Sequence, residues 1–181
     1  MRTAPLSNGL TLIYERRPTK GVGIEVSFSV GLIDDPFRKE GTCHGLEHSV
    51  FKRTRLHSAL SLCKDIEGVG GHLNAFTDDE RTGVNAIVPK NYFKTGLRVL
   101  SEITIEPTFT SNDLKIEKGA IKTEIKKGKD DMDTFIPTSL QCILFEGHPL
   151  GRSHAGTIKI VNKLTKKELL NHYRQYYVAN N

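Results

Sequence analysis

At 181 residues, with 37% hydrophobic and 26% charged residues, the chain has the composition of an ordinary globular protein and can bury a core as one domain. These fractions exclude a disordered chain, and no apolar run approaches the roughly 20 residues of a membrane span. The net charge of +5 is modest, and no basic patch is interleaved with aromatic residues, so we expect no nucleic-acid partner.

Cysteine usage and the opening residues bear on the compartment. The three cysteines have irregular spacing and form no CxxC pair, which favours reduced thiols over a disulfide framework. The opening MRTAPLSNGLTLIY lacks an apolar signal core, so no secretory signal is visible. We therefore expect a cytoplasmic location, or a mitochondrial or other organellar matrix if the source is eukaryotic.

The first half of the chain mixes strands and helices. Residues 10–14 and 24–30 alternate apolar and polar side chains, which predicts two half-buried strands. A helical period then begins with Thr42 as its N-cap, and a second helix ends in the glycine-rich stretch at 68–71. Residues 72–89 predict two further strands joined by a polar turn.

The second half is mostly helical. Apolar spacing predicts helices over 91–105, over 111–131 and over about 138–145, and a last amphipathic helix capped by Thr165. Because strands and helices do not alternate regularly, we predict an α+β fold: a two-layer sandwich of a largely antiparallel sheet with helices packed on one face. No repeat or linker interrupts the pattern, so residues 1–181 are predicted to form a single domain.

The stretch GTCHGLEHSVFK is the first candidate for chemistry. His44 and His48 are four residues apart and share one helix face, so both imidazoles can bind one zinc ion. Glu47 lies close to that face and can act as a general base beside the metal. This is the HxxEH pattern, the inverse of HExxH. On these five residues alone, a helix face that carries two histidines by chance stays open.

A third zinc ligand has to come from elsewhere in the chain, and spacing does not choose among the other histidines, the cysteines and many carboxylates. Glu117 and Glu124 are seven residues apart on a predicted helix and therefore lie two turns apart on one face. A solvated stripe of lysine and glutamate is the usual explanation for such a pair.

Longer segments resemble a known family. GTCHGLEHSVFKRT is similar to the signature G-x-x-H-x-x-E-H-x-x-F-K-G-T of the inverzincin peptidases, which include pitrilysin, insulin-degrading enzyme and mitochondrial processing peptidase. IEGVGGHLNAFTDDERT, KIEKGAIKTEIKK and the segment that begins GHPLGRSHAGT resemble further family segments. The matches lie in family order and cover nearly the whole chain, so they are far more specific than the five-residue motif. They correspond to the N-terminal catalytic domain of the family.

The resemblance implies roles for five residues. His44 and His48 match the zinc-binding histidines, and Glu124 stands at the spacing of the third ligand, which gives one Zn²⁺ per chain. Glu47 matches the catalytic base. Glu117 matches a second catalytic glutamate that supports the site from behind the ligands.

The resemblance also implies a substrate and a partner. Asn74 and Ala75 match a segment that lines the cleft, so we expect an extended or unstructured peptide to add to the sheet edge near 72–77. The implied activity is zinc-dependent endopeptidase cleavage. Working enzymes of the family close two halves around the peptide, and this chain corresponds to one half. We therefore expect a homo- or hetero-oligomer or a second-half chain.

Departures from the family and alternative functions remain. Gly45, Arg53 and Cys43 stand where the family commonly has other residues, and none of them removes a ligand. A non-catalytic or weakly active assembly subunit of the same fold is one alternative. A zinc lyase similar to S-ribosylhomocysteine lyase is another, but its third ligand is a cysteine, and Cys142 lies in an apolar helical stretch.

Overall fold

The computed structural model describes residues 1–181, in which five strands form two antiparallel sheets. β1 (Arg2–Pro5) pairs with β2 (Thr11–Tyr14) in a separate hairpin. The main sheet contains β3 (Gly21–Phe28), β4 (His72–Thr77) and β5 (Thr82–Pro89) in the order β3–β5–β4. β5 is therefore central, and one side of β4 is an open sheet edge.

Seven α-helices provide the second layer and the elements around it. They are α1 (Thr42–Val50), α2 (Ala59–Glu67), α3 (Phe93–Ile105), α4 (Ser111–Asp130), α5 (Met132–Leu144), α6 (Ile158–Lys163) and α7 (Lys166–Tyr176). None of them combines the length and the apolar character that crossing a bilayer requires.

The core lies between one face of the main sheet and the helices. Along β5, Val84, Ala86 and Val88 are buried, whereas Ile87 between them is exposed, as the alternation of side chains along a strand dictates. The inward residues pack against apolar side chains of α1, α2 and α3 in one cluster. The α+β prediction of an antiparallel sheet covered by helices on one face is thus confirmed.

Several element boundaries differ from the predictions. α5 begins at Met132 instead of about 138, because the Asp131 side chain accepts the backbone N–H of Asp133 and caps an earlier first turn. Pro137 lies inside this helix, where the sequence suggested a boundary. The short elements β1 and α6 were not predicted at all.

The N-terminus of α1 shows a different cap from the one predicted. Thr42 is the first helical residue and not the N-cap, which is Gly41 at φ +87°. The Asp35 carboxylate accepts hydrogen bonds from the backbone N–H groups of Gly41 and Cys43 (2.8 Å for Cys43). A carboxylate at a helix N-terminus accepts hydrogen bonds from free N–H groups and interacts favourably with the positive end of the helix dipole. Asp35 therefore fixes the start of the helix that carries the HxxEH motif.

A buried contact joins α1 to α7. The Cys43 Sγ lies 3.0 Å from Nε2 of His172 and 3.0 Å from the carbonyl oxygen of Gly31. Since the thiol has one proton to give to Gly31, a neutral His172 that donates from Nε2 to the sulfur satisfies both contacts. Burial lowers the pKa of His172 to about 4, which keeps the ring neutral.

The depressed pKa of His172 predicts a loss of stability in acid. In the unfolded chain this histidine binds its proton near pH 6.5, but in the folded chain only near pH 4. Between these values the unfolded state binds more protons, so falling pH lowers the free energy of unfolding, by about 3 kcal/mol in total. In urea titrations of metal-free protein between pH 7 and 4, wild type should lose about 3 kcal/mol more than His172→Gln. The exposed His72→Gln serves as the control, and an unchanged pH dependence in His172→Gln would contradict the assignment.

Gly45 lets α1 approach its neighbours closely. A Cβ at this position would lie 2.7 Å from Cδ2 of Leu164 and 3.7 Å from Cδ2 of Leu169. We expect Gly45→Leu to destabilise the fold by about 1–3 kcal/mol, because overpacking outweighs the gain in helix propensity. The matched Gly119→Leu in α4, where a Cβ has nothing within 4 Å, should leave stability unchanged or slightly higher. Chemical denaturation of both variants measures the difference; equal effects would refute the packing argument.

Candidate metal centre

α1 and α4 pack against each other and bring together the five polar residues that the sequence singled out on them. α1 contributes His44, Glu47 and His48, and α4 contributes Glu117 and Glu124 two turns apart. The two imidazole rings lie edge to face, with centroids 4.6 Å apart. The helical spacing therefore produces a shared face on each helix, and tertiary packing makes the two faces meet.

Three donor atoms converge at this contact. Oε2 of Glu124 lies 3.5 Å from Nε2 of His44 and 3.4 Å from Nε2 of His48. Both separations exceed the usual N–H···O range of about 2.7–3.2 Å. Two zinc bonds of about 2.1 Å meeting at a tetrahedral angle would separate their ligand atoms by roughly 3.4 Å. The donor types and their spacing thus fit a zinc ion.

Glu117 orients one of the two imidazoles. Its Oε2 lies 3.1 Å from Nδ1 of His48, and its side chain is only 6% exposed. A proton on Nδ1 donated to this carboxylate leaves the Nε2 lone pair facing Glu124, as in carboxylate–histidine–metal arrangements. Burial lowers the pKa of His48, but the neighbouring Glu124 and Glu117 carboxylates outweigh burial, and the net pKa is raised. His44 and His48 together hold the pKa of the Glu124 carboxyl well below its usual range.

His44 has no corresponding partner. Its Nδ1 is buried and makes no hydrogen bond, while its Nε2 faces the Glu124 carboxylate. A ring lone pair that faces a carboxylate oxygen is stabilised only by a proton or a cation between them. The arrangement of His44 therefore also fits a bound cation.

Glu47 lies beside the convergent group and is not part of it. Its Oε2 accepts a hydrogen bond of 2.6 Å from the hydroxyl of Thr77, the last residue of β4. This contact ties the carboxylate to the edge strand. Glu47 therefore links the helix that carries His44 and His48 to the end of the edge strand.

The predicted substrate residues lie on that edge strand. Asn74 is exposed and stands opposite Asn85 of β5, and Ala75 stands opposite Val84. The β4 side away from β5 has no strand partner. An unpaired strand offers backbone N–H and C=O groups to an added peptide strand.

Sequence reasoning missed two residues of this constellation. Lys52 places Nζ 2.8 Å from Oε1 of Glu117, and Thr77 bonds Glu47. Lys52 stands four residues after His48, a spacing that hinted at a shared face. No sequence pattern pointed to Thr77, because its contact with Glu47 depends on how β4 packs against α1.

A second convergent group lies behind α1 and is built from Asp35, Cys43 and His172, all of them buried. Both carboxylate oxygens of Asp35 already accept backbone N–H groups of α1. The thiol and the imidazole are in direct contact at 3.0 Å. The group therefore joins α1 to its preceding loop and to α7, and each of its convergent atoms already has a protein partner.

Comparison with known sequences gives the family. A profile described as Insulinase (Peptidase family M16) matches residues 11–158. An uncharacterised zinc protease of Streptomyces coelicolor is 32% identical over 178 residues, which are 98% of this chain and 39% of that protein. A probable mitochondrial-processing peptidase subunit beta of Schizosaccharomyces pombe is 30% identical over 176 residues, 97% of this chain and 38% of that protein.

Comparison with solved structures agrees on the fold. A protease from Helicobacter pylori superposes with a TM-score of 0.90 at 21% identity, over 99% of this chain and 44% of that one. The chain thus spans about two fifths of the length of each of these three proteins. Since the family profile covers most of the sequence, the chain belongs to the insulinase family of peptidases, family M16.

Proposed function

We propose that this chain is the zinc-binding module of an endopeptidase, in which His44, His48 and Glu124 hold one Zn²⁺ and Glu47 is the general base. The observation that carries the proposal is the convergence of the three donor atoms within 4.8 Å of one another, next to a glutamate tied to an open sheet edge. The names of relatives as zinc proteases support the same metal.

The roles of the residues follow from their positions. His44, His48 and Glu124 would hold a Zn²⁺ ion, which would act as a Lewis acid toward water and a peptide carbonyl. Glu47 accepts the proton of the attacking water and returns it to the leaving amine nitrogen. The Thr77 hydroxyl keeps the Glu47 carboxylate oriented toward the cleft. Glu117 supports the reaction through His48, whose ring it holds in one tautomer.

The substrate is an extended or unstructured peptide that pairs with β4. Asn74 and Ala75 lie in this edge strand, and their backbone groups position the peptide so that a carbonyl comes near Glu47. Recognition through backbone hydrogen bonds requires an unfolded segment, because a folded substrate has its own backbone groups paired.

A second half completes the cleft. The chain spans about two fifths of its relatives, and the proposed site is open on the Glu124 side, where that side chain is 56% exposed. A second copy, a different subunit or a second-half chain would enclose the peptide and separate the site from bulk solvent.

The alternatives have less support. A non-catalytic assembly subunit does not need the base or the ligands, and this chain retains all of them. A lyase site needs a cysteine as third ligand, whereas Cys142 lies in α5, outside both convergent groups.

Metal analysis tests the ligand assignment. We expect one zinc per chain after dialysis, and an affinity lowered at least about 100-fold in Glu124→Gln. Glu47→Gln should retain zinc, because of these two glutamates only Glu124 contributes a donor atom. Chelator competition monitored by a zinc-sensitive dye gives the affinities. Full retention of zinc by Glu124→Gln would show that Glu124 is not a ligand.

Peptide cleavage tests the base and the second half. We expect little or no cleavage of an extended basic peptide by the isolated chain, because the cleft is incomplete. Any cleavage should fall by about 10²–10⁴-fold in Glu47→Gln and disappear with a zinc chelator. Efficient cleavage by the isolated chain that depends on Glu47 would refute the need for a second half. Cleavage unaffected by Glu47→Gln would refute the base assignment.

A further inference from the structure

A chain of polar contacts runs from Lys52 through Glu117 to the proposed ligand His48. Its Nζ lies 2.8 Å from Oε1 of Glu117, and Oε2 of the same carboxylate lies 3.1 Å from Nδ1 of His48. Each oxygen of the buried Glu117 carboxylate therefore has its own partner. The lysine itself is one third exposed, so its charge lies at the boundary between site and solvent.

The position of Lys52 makes this contact possible. α1 ends at Val50, and the backbone N–H of Lys52 bonds the carbonyl of Ser49 in the turn that follows. Lys52 and His48 thus come from the same end of α1 and hold Glu117 of α4 from two sides. A buried carboxylate is costly unless it is paired, and Lys52 is the cation that pairs with it.

The balance of charges in the site also indicates a role for Lys52. Glu47, Glu117 and Glu124 carry three negative charges, and Lys52 is the basic residue bonded to them. A divalent cation on the three ligands and the single charge of Lys52 together balance these carboxylates. Without Lys52, the charge of Glu117 would have to be balanced through His48, whose Nε2 faces the metal position.

We propose that Lys52 is a positioning residue that sets the metal affinity of the site by holding the Glu117 carboxylate against His48 Nδ1. This inference rests on the proposed zinc site. Lys52 makes no hydrogen bond or ion pair with the ligand atoms or with β4, and it acts through Glu117 alone.

Arg53 provides a matched control. It is the next residue in the chain and also bridges to α4, through Nε at 3.3 Å from Oδ2 of Asp113. Its side chain is 47% exposed, and Asp113 does not belong to the convergent group. Removal of Arg53 therefore tests the loss of a basic link between the end of α1 and α4 without touching Glu117.

The experiment measures metal binding by the metal-free chain. Zn²⁺ affinity is obtained by chelator competition, and the visible absorption of bound Co²⁺ reports the geometry of the ligands. We expect Lys52→Met to weaken binding about 10- to 100-fold and to change the Co²⁺ spectrum, as loss of support behind a ligand does. Arg53→Met should match wild type in both measurements.

A double-mutant cycle separates this role from general stability. Glu117→Gln removes the charge that Lys52 balances, so Lys52→Met should have almost no further effect in that background. The double variant buries no unpaired carboxylate and stays measurable even if Lys52→Met alone folds poorly. Equal losses in Lys52→Met and Arg53→Met, or the same loss from Lys52→Met in both backgrounds, would overturn the inference. If wild type binds neither Zn²⁺ nor Co²⁺, the proposed function itself fails, and the inference fails with it.

Discussion

The candidate site exists only because α1 packs against α4. Two donor atoms lie on the first helix and one on the second, and the loss of this contact would separate them. Contacts at several points hold α1 in place. Asp35 accepts the backbone N–H groups at the start of α1, and the Cys43 thiol of α1 contacts His172 of α7. Gly45 allows the neighbouring leucines to come close. Several parts of the surrounding fold thus fix the position of one nine-residue helix, α1.

Local patterns predicted the parts of the site that lie on single helices. The spacing of His44 and His48, and of Glu117 and Glu124, follows from 3.6 residues per turn, and each pair does share a face. The α+β class and the antiparallel sheet followed from the change between periods of two and of 3.6 residues. That these two helices meet came from the family resemblance, because nothing in the spacing within one helix specifies its neighbour.

Contacts between distant segments were beyond prediction from the sequence. Thr77 reaches Glu47 only because the end of β4 lies beside α1, and Asp35 caps α1 from a loop several residues upstream. The N-cap shifted from Thr42 to Gly41 for the same reason, since a carboxylate from outside the helix replaced the expected local hydroxyl. Lys52 lies just past the end of α1, and its four-residue spacing from His48 did not specify which carboxylate of α4 it would contact. In each case tertiary packing supplied what local propensity could not.

The three donor side chains differ sharply in how far solvent reaches them. The His44 side chain is 11% exposed and that of His48 21%, whereas that of Glu124 is 56% exposed. For a metal bound as proposed, the two histidines form the buried side of the site, and Glu124 forms an exposed rim that water can reach directly. Ion uptake and release would then proceed through this rim in the folded chain without opening of any helix. Covering the rim with a second half would slow that exchange, so assembly would determine how long a metal ion stays in place.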